Sequence, residues 1–276
     1  MKVSGFTIAR NAIKYNYPIV ESISSILPIC DEFIVNVGDS EDDTLALIKS
    51  IPSPKIRVIQ NQWDMSQGKE VLSHQTNLAL KECQSKWAFY LQSDEVIHED
   101  HLCHILDIVD RCDIDAIRFS WLHFYGSYFR YRIDQGWYQK QVRVVRNNGE
   151  IESFGDAYGF RRKDGNPLDL AYTNILLYHY GWVQPPEVMA KRRLNAEQIG
   201  FVSLESSQRH EEYSYGDLSR FPIYFGTHPK VMAEKIKAHQ FSQEDWKEIE
   251  KKFWWHPAKI FRFKYKTGKR IKKRIE

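Results

Sequence analysis

Trp87-Ala88-Phe89-Tyr90-Leu91-Gln92-Ser93-Asp94-Glu95 is an apolar, aromatic run that ends in two adjacent carboxylates. A run of this length reads as a buried β-strand. In an open α/β sheet, ligands bind beyond the C-terminal ends of the strands. Paired acids delivered there suit a hard divalent cation and, through it, a phosphate. The competing reading makes Asp94 and Glu95 the start of a solvated turn before a helix over residues 99–109.

Upstream of this run, strand and helix patterns alternate. Strands are predicted at residues 3–9, 32–37 and 55–60, with 87–92 as the fourth. Helical spacing covers residues 11–27, a segment from Asp43 and Thr44 to Ile51, and residues 70–84. Three strand–helix–strand crossovers in a row predict a parallel sheet with right-handed connections. After about residue 112 the rhythm changes. Strands are predicted at 115–123, 141–146 and 175–182, and a Gly- and charge-rich loop at 149–165. Residues 203–229 read as irregular, with helices at 187–200, 229–240 and 243–253.

A chain of 276 residues accommodates one large α/β domain or two small ones. Its 42% hydrophobic and 27% charged residues are ordinary for a soluble globular protein. The N-terminus lacks a signal peptide's apolar stretch, and no apolar run nears the ~20 residues needed to span a bilayer. Cys30, Cys83, Cys103 and Cys112 have no metal-type spacing and read as reduced packing residues. The expected location is cytoplasmic. The charge is uneven. Residues 259–276 hold nine Lys or Arg and one acid, a local net of +8 against +3 overall, so the remainder carries −5. The body therefore gives no sign of nucleic-acid binding. The tail mixes aromatics with cations and suits an anionic membrane surface, at about 1 kcal/mol per Lys or Arg, so peripheral attachment at the inner face of the membrane is compatible with it. A disordered solubilising terminus and a nucleic-acid-binding arm are the alternative readings of the tail.

Both common phosphate loops are missing. There is no Gly-X-Gly-X-X-Gly and no Gly-X-X-X-X-Gly-Lys-Ser/Thr. A phosphate must be held some other way, and a metal is the obvious candidate. Asp39, after the second predicted strand, shares the expected crevice with Asp94 and Glu95.

These residues resemble the GT-A, family 2-type glycosyltransferases. Ala9-Arg10-Asn11 is similar to the family's first nucleotide-contacting turn. Val35-Asn36-Val37-Gly38-Asp39-Ser40-Glu41-Asp42-Asp43-Thr44 is similar to its acidic turn, and Tyr90 to Glu95 to its metal-binding Asp-X-Asp segment. Trp63 to Gly68, Gln75 to Leu80 and Trp87 resemble the spacing of a bacterial branch that builds surface polysaccharides. The resemblance implies a Rossmann-like, mostly parallel central sheet flanked by helices, an appended acceptor-side region and a helical C-terminus. It divides the chain into residues 1–185, with a nucleotide half to about 112 and an acceptor half beyond it, a helical region at 186–258, and the tail. It implies inverting transfer of a sugar from a UDP- or GDP-linked donor to a glycan or lipid-linked acceptor, assisted by Mn²⁺ or Mg²⁺. Asp39, Ala9, Arg10, Asn11 and Ser93 would contact the nucleotide. Asp94 would serve the metal, with Glu95 assisting or contacting ribose through water and His179 as a further ligand or diphosphate contact. Gln92 stands where the family usually has an acid. Its amide oxygen can ligate a hard cation but brings no charge. Gly38 likewise replaces one acid of the second turn.

Sugars present apolar faces that stack on rings, so the aromatic stretch from Phe119 to Tyr138 is the expected acceptor side. Trp137 and Tyr138, beside Gly136, are the favoured wall, with most other rings assigned to packing. Inverting transfer needs a carboxylate base. The resemblance places it among Glu150, Glu152 and Asp156, and Asp156 is favoured because Gly155 and Ala157 flank it in a tight loop. Lys191, Arg192 and Arg193 could neutralise a diphosphate but read mainly as a solvated helix face. Two other functions stay open. One is a sugar-phosphate nucleotidyltransferase, disfavoured because Ala9-Arg10-Asn11 lacks glycines. The other is a non-catalytic protein that binds glycans or nucleotides.

Overall fold

The computed structural model describes residues 2–111, 113–133, 137, 139–200 and 213–239. The elements run β1 (Val3–Ala9), α1 (Ile19–Ile26), β2 (Glu32–Val37), α2 (Thr44–Lys49), β3 (Ile56–Gln60), α3 (Glu70–Lys81), β4 (Trp87–Tyr90), β5 (Glu95–Ile97), α4 (Leu102–Arg111), β6 (Ala116–Tyr125), β7 (Tyr131–Arg132), β8 (Lys140–Arg146), β9 (Ile151–Phe154), β10 (Gly159–Arg162), β11 (Leu170–Trp182), α5 (Pro186–Gln198) and α6 (Ala233–Ala238).

The central sheet has the order β3-β2-β1-β4-β8-β6-β11-β5, with β7 beside β6. Its first four strands are mutually parallel, as expected from the crossovers. Beyond them, β8 is antiparallel to both neighbours, β4 and β6. β6 and β11 are parallel, and β5 closes the edge antiparallel to β11. Alternation along each strand feeds two apolar layers, because successive strand side chains point to opposite faces. Trp87 and Phe89 join Ile19, Ile23, Ile26, Ile105 and Val109 on one face. Ala88 and Tyr90 join Phe6, Ala79, Leu80 and Phe160 on the other. Burial on both faces explains why these strands read as continuous apolar runs.

Three expectations change. The helix predicted from residue 11 begins only at Ile19, after Pro18. Asn11 and Asn16 adopt φ of 54° and 49°, left-handed values that break a helix. The 149–165 loop contains a hairpin, β9 paired antiparallel with β10. Its turn uses φ of 59° at Gly155 and 60° at Ala157. And Glu95 opens a strand, β5, on the far edge of the sheet, so the acids close neither a simple turn nor a helix start. Cys30 and Cys83 are buried, the Cys30 thiol pushed up to about 12 by burial, whereas Cys103 is exposed and does not pack. The expected helix at 243–253, the basic tail at 259–276 and Cys112 lie outside the described residues. Among the described residues, no helix is long and apolar enough to cross a membrane.

Gly5 marks the tightest point of the β1–β2 packing. A Cβ there would meet the Phe33 ring and lie 2.9 Å from Cys30 Sγ. Gly5→Ala is expected to destabilise the protein by about 1–3 kcal/mol through overpacking. Urea denaturation checks this, and an unchanged midpoint would contradict the packing described.

Candidate active site

The C-terminal ends of β1, β4, β6 and β11 open onto one large cavity of about 830 Å³, within the range of small-molecule sites. Gln92, Ser93, Asp94, Asp156 and His179 all line it, together with Arg10, Arg132, Arg192 and Arg193. Among the lining residues four arginines face two aspartates, an electrostatic balance that favours an anionic ligand.

After β4 the chain crosses the end of the sheet to reach β5, and Asp94 sits on this crossing. Tyr180 N–H donates to the Asp94 carbonyl at 2.9 Å, which fastens the crossing to β11. The Asp94 carboxylate is nearly buried. Arg192 Nη2 donates to its Oδ2 at 3.1 Å, and His179 Nε2 lies 3.7 Å from the same oxygen. Arg192 also donates to the Gly181 carbonyl and rests its guanidinium 4.2 Å from the centre of the Tyr17 ring. His179 and Gly181 fall on the same face of β11, two residues apart. A Cβ at Gly181 would lie 2.5 Å from Asp94 Oδ2 and 2.8 Å from His179 Nε2, so only glycine permits this approach. Burial, and then the neighbouring His123, hold the His179 imidazole pKa well below its ordinary range, so the ring is neutral.

Glu95 departs from the expectation of a metal or substrate contact. It is completely buried and does not line the cavity. Arg143 grips it with both guanidinium arms, Nε to Oε2 at 2.7 Å and Nη2 to Oε1 at 2.8 Å. Trp121 Nε1 donates to Oε1 at 2.8 Å and the Gln92 backbone N–H to Oε2 at 2.9 Å. With four donors on two oxygens, the carboxylate has little left to offer an ion. Glu95 is instead the anchor beneath the Gln92-Ser93-Asp94 turn.

The expected nucleotide residues divide in the same way. Arg10 lines the cavity, and its Nε donates to the Asp39 carbonyl at 3.2 Å. Asp39 is exposed and does not line the cavity, its Oδ1 accepting from the Trp63 backbone N–H at 3.3 Å. Ala9 and Asn11 are buried and do not line the cavity. Ala9 accepts from Gly38 N–H, and Asn11 Oδ1 accepts from Glu41 N–H at 2.7 Å, so both tie the first two strand ends together. Ser93 Oγ donates to the Ile8 carbonyl at 3.0 Å. Gln92 Nε2 reaches the Ala157 carbonyl at 3.4 Å, linking the turn to the β9–β10 hairpin.

Of the three candidate bases, only Asp156 lines the cavity. Glu150 pairs with Arg162 at 3.0 Å and Glu152 with Arg161 at 2.8 Å, both at the exposed side of the hairpin. Trp137 lines the cavity among Tyr125, Trp182 and His123, with the Arg132 guanidinium 4.4 Å from its ring centre. Tyr138 lies outside the described residues. The sequence reading missed Arg143, Trp121, His123 and the inward course of Arg192. An arginine in the middle of Val142-Arg143-Val144, flanked by buried valines, was the one available signal of a buried partner.

The mixed α/β sheet thus carries, at its strand ends, a cavity lined by four arginines and two aspartates. The sequence pattern described as "Glycosyl transferase family 2" matches residues 6–171, more than half of the chain, and the protein belongs to that family. No relative was found by sequence among curated proteins. The fold is similar to S. aureus TarS, at 18% identity and a TM-score of 0.45, over 69% of this chain and 38% of that one. It is similar to TarS 1-349 in complex with UDP, at 20% identity and 0.44, over 75% and 68%. It is also similar to glucosyl-3-phosphoglycerate synthase from Mycobacterium tuberculosis in complex with Mg²⁺ and UDP, at 13% identity and 0.42, over 74% and 81%. The match to whole TarS thus spans well under half of that protein's length.

Removing one partner of a buried ion pair strands the other. Arg143→Ala is expected to cost about 3–5 kcal/mol, whereas the double change Glu95→Leu with Arg143→Met is expected to cost less. Urea titration of the three proteins tests this. A double variant less stable than Arg143→Ala would contradict it.

Proposed function

We propose that the protein transfers a sugar from a nucleoside-diphosphate sugar to an acceptor hydroxyl, with inversion at the anomeric carbon. The observation that carries this reading is the convergence of Asp94, Asp156 and four arginines on one cavity in a family 2 chain. Arg10 and Asp39 hold the nucleoside end. The diphosphate lies toward Asp94, where Arg192 and Arg193 oppose its charge. The acceptor stacks on the Trp137 side. Its hydroxyl oxygen attacks the anomeric carbon as the bond to the diphosphate oxygen breaks, and the hydroxyl proton passes to the Asp156 carboxylate. The turn carrying Asp156 is held rigid, with Ala157 buried at positive φ, which favours a fixed position for the base. Among the described residues nothing donates to the Asp156 carboxylate, which leaves it available to a hydroxyl.

Asp94 and His179 fit a divalent cation. Their Oδ2 and Nε2 are 3.7 Å apart, His179 is neutral, and a carboxylate–imidazole pair suits Mn²⁺. Mg²⁺, which prefers oxygen ligands, would depend on Asp94 and the Gln92 amide oxygen among the protein groups. With one carboxylate and Gln92 in place of a second, most of the coordination falls to water and the diphosphate, the usual arrangement for nucleotide-bound ions. The ion, when bound, neutralises charge on the leaving diphosphate. A glycan or lipid-linked acceptor, a role in cell-surface polysaccharide synthesis and attachment to a membrane through the basic tail extend the same reading.

Asp156→Asn is expected to lower kcat by about 10²–10⁴-fold while leaving nucleoside-diphosphate affinity unchanged. Asp94→Asn is expected to abolish metal-dependent nucleotide binding. Steady-state transfer across a panel of nucleotide sugars, with calorimetry of UDP and GDP in the presence and absence of Mn²⁺, reads both. Full turnover in the Asp156 variant would remove it as the base.

A further inference from the structure

His123 on β6 and His179 on β11 stand opposite each other in the parallel register. Both are buried, and their Nδ1 atoms are 3.0 Å apart. Two imidazole nitrogens at hydrogen-bond distance need one donor and one acceptor, so in the neutral pair the two rings hold linked tautomers. In one arrangement His179 Nδ1–H donates to His123 Nδ1, and His179 Nε2 carries its lone pair toward Asp94. In the other His123 donates, His179 Nε2 bears the hydrogen, and its lone pair is lost to a metal. The rings have little freedom to turn away. Trp121 stacks on His179 with ring centres 5.3 Å apart and meets His123 edge-on at 4.7 Å. Trp137 closes the other side of His123 at 5.1 Å. Trp121 is itself held by its bond to the locked Glu95.

We propose that His123 is a positioning residue: by accepting the Nδ1 hydrogen of His179, it selects the tautomer whose Nε2 offers a lone pair to a divalent cation shared with Asp94. The inference rests on the donor-site reading above and assigns a task to a buried histidine that the transfer chemistry does not use. A metal-bound histidine commonly donates its second ring N–H to a carboxylate or carbonyl, and loss of such a partner costs about 10–100-fold in metal affinity. Here an imidazole nitrogen fills that place. The metal therefore depends on the order of two protons in the core and not on the two ligands alone.

The test measures Mn²⁺ affinity, by electron paramagnetic resonance of the free ion, in the full chain with saturating UDP or GDP. His123→Phe keeps a ring and removes the acceptor. It is expected to weaken Mn²⁺ binding about 10–100-fold. His123→Asn restores an acceptor oxygen near the Nδ1 position and is expected to recover most of the parent affinity. Parent-like Mn²⁺ binding by His123→Phe overturns the proposal, as does an Asn variant no better than the Phe variant. Asp94→Asn and His179→Ala separate the two levels. If both bind Mn²⁺ as the parent does, or the parent binds none, the metal reading fails and the role of His123 with it. If both lose Mn²⁺ while His123→Phe does not, only the role of His123 fails.

Discussion

The buried ion pair between Glu95 and Arg143 is the constraint on which the site depends. Its two partners come from β5 and β8, which are not neighbours in the sheet. The chain leaves β4, crosses the sheet end and enters β5 at Glu95, so the bidentate bond fixes where that crossing lies. Because Glu95 Oε2 also accepts the Gln92 backbone N–H, the Gln92-Ser93-Asp94 turn is set from below. Trp121, bonded to the other oxygen, carries the same constraint to His179 and His123. An apolar pair of similar volume would cost the fold less than stranding either charge. It would not supply the four directed hydrogen bonds on Glu95 that set the turn leading into Asp94.

The same geometry explains what was legible in the sequence. The parallel half was readable because its strands are buried on both faces and its helices follow at regular intervals. Asp94, Asp156, Trp137 and His179, singled out from a strand end, a tight loop, an aromatic stretch and a family resemblance, all line the one cavity. Glu95 was misassigned for a physical reason. Adjacent acids at a strand end look alike, and their fates separated only when β5 turned one side chain into the core toward an arginine about fifty residues away. The β9–β10 hairpin was hidden by its exposed, charged side, where Arg161 and Glu152 pair across the strands. The helix predicted from residue 11 failed because apolar spacing does not register left-handed asparagines, and that unwound segment supplies Tyr17 to the site.

Arg192 shows how tertiary context reverses a local reading. Lys191-Arg192-Arg193 has the look of a solvated helix face, and the Arg192 side chain is nonetheless only 13% exposed. The Tyr17 ring, the Gly181 carbonyl and Asp94 together replace water around the guanidinium. Burial of a charge is tolerable under these conditions, since the group meets a ring face and two acceptors. The result is a cation stationed on the one acid that the site retains at this position.

That placement bears on the missing acid at Gln92. Two carboxylates and one divalent ion would leave a metal site close to neutral before the diphosphate arrives. With Gln92 the floor has one carboxylate, and Arg192 already balances it. Any ion that joins Asp94 and His179 therefore adds uncompensated positive charge in a nearly dry place, which is unfavourable until an anion enters. A nucleoside diphosphate supplies that anion. On the proposed reading, ion and nucleotide are thereby coupled, each making the other's binding stronger. On that reading, Gln92 in place of a second acid leaves the metal site to be completed by the donor itself.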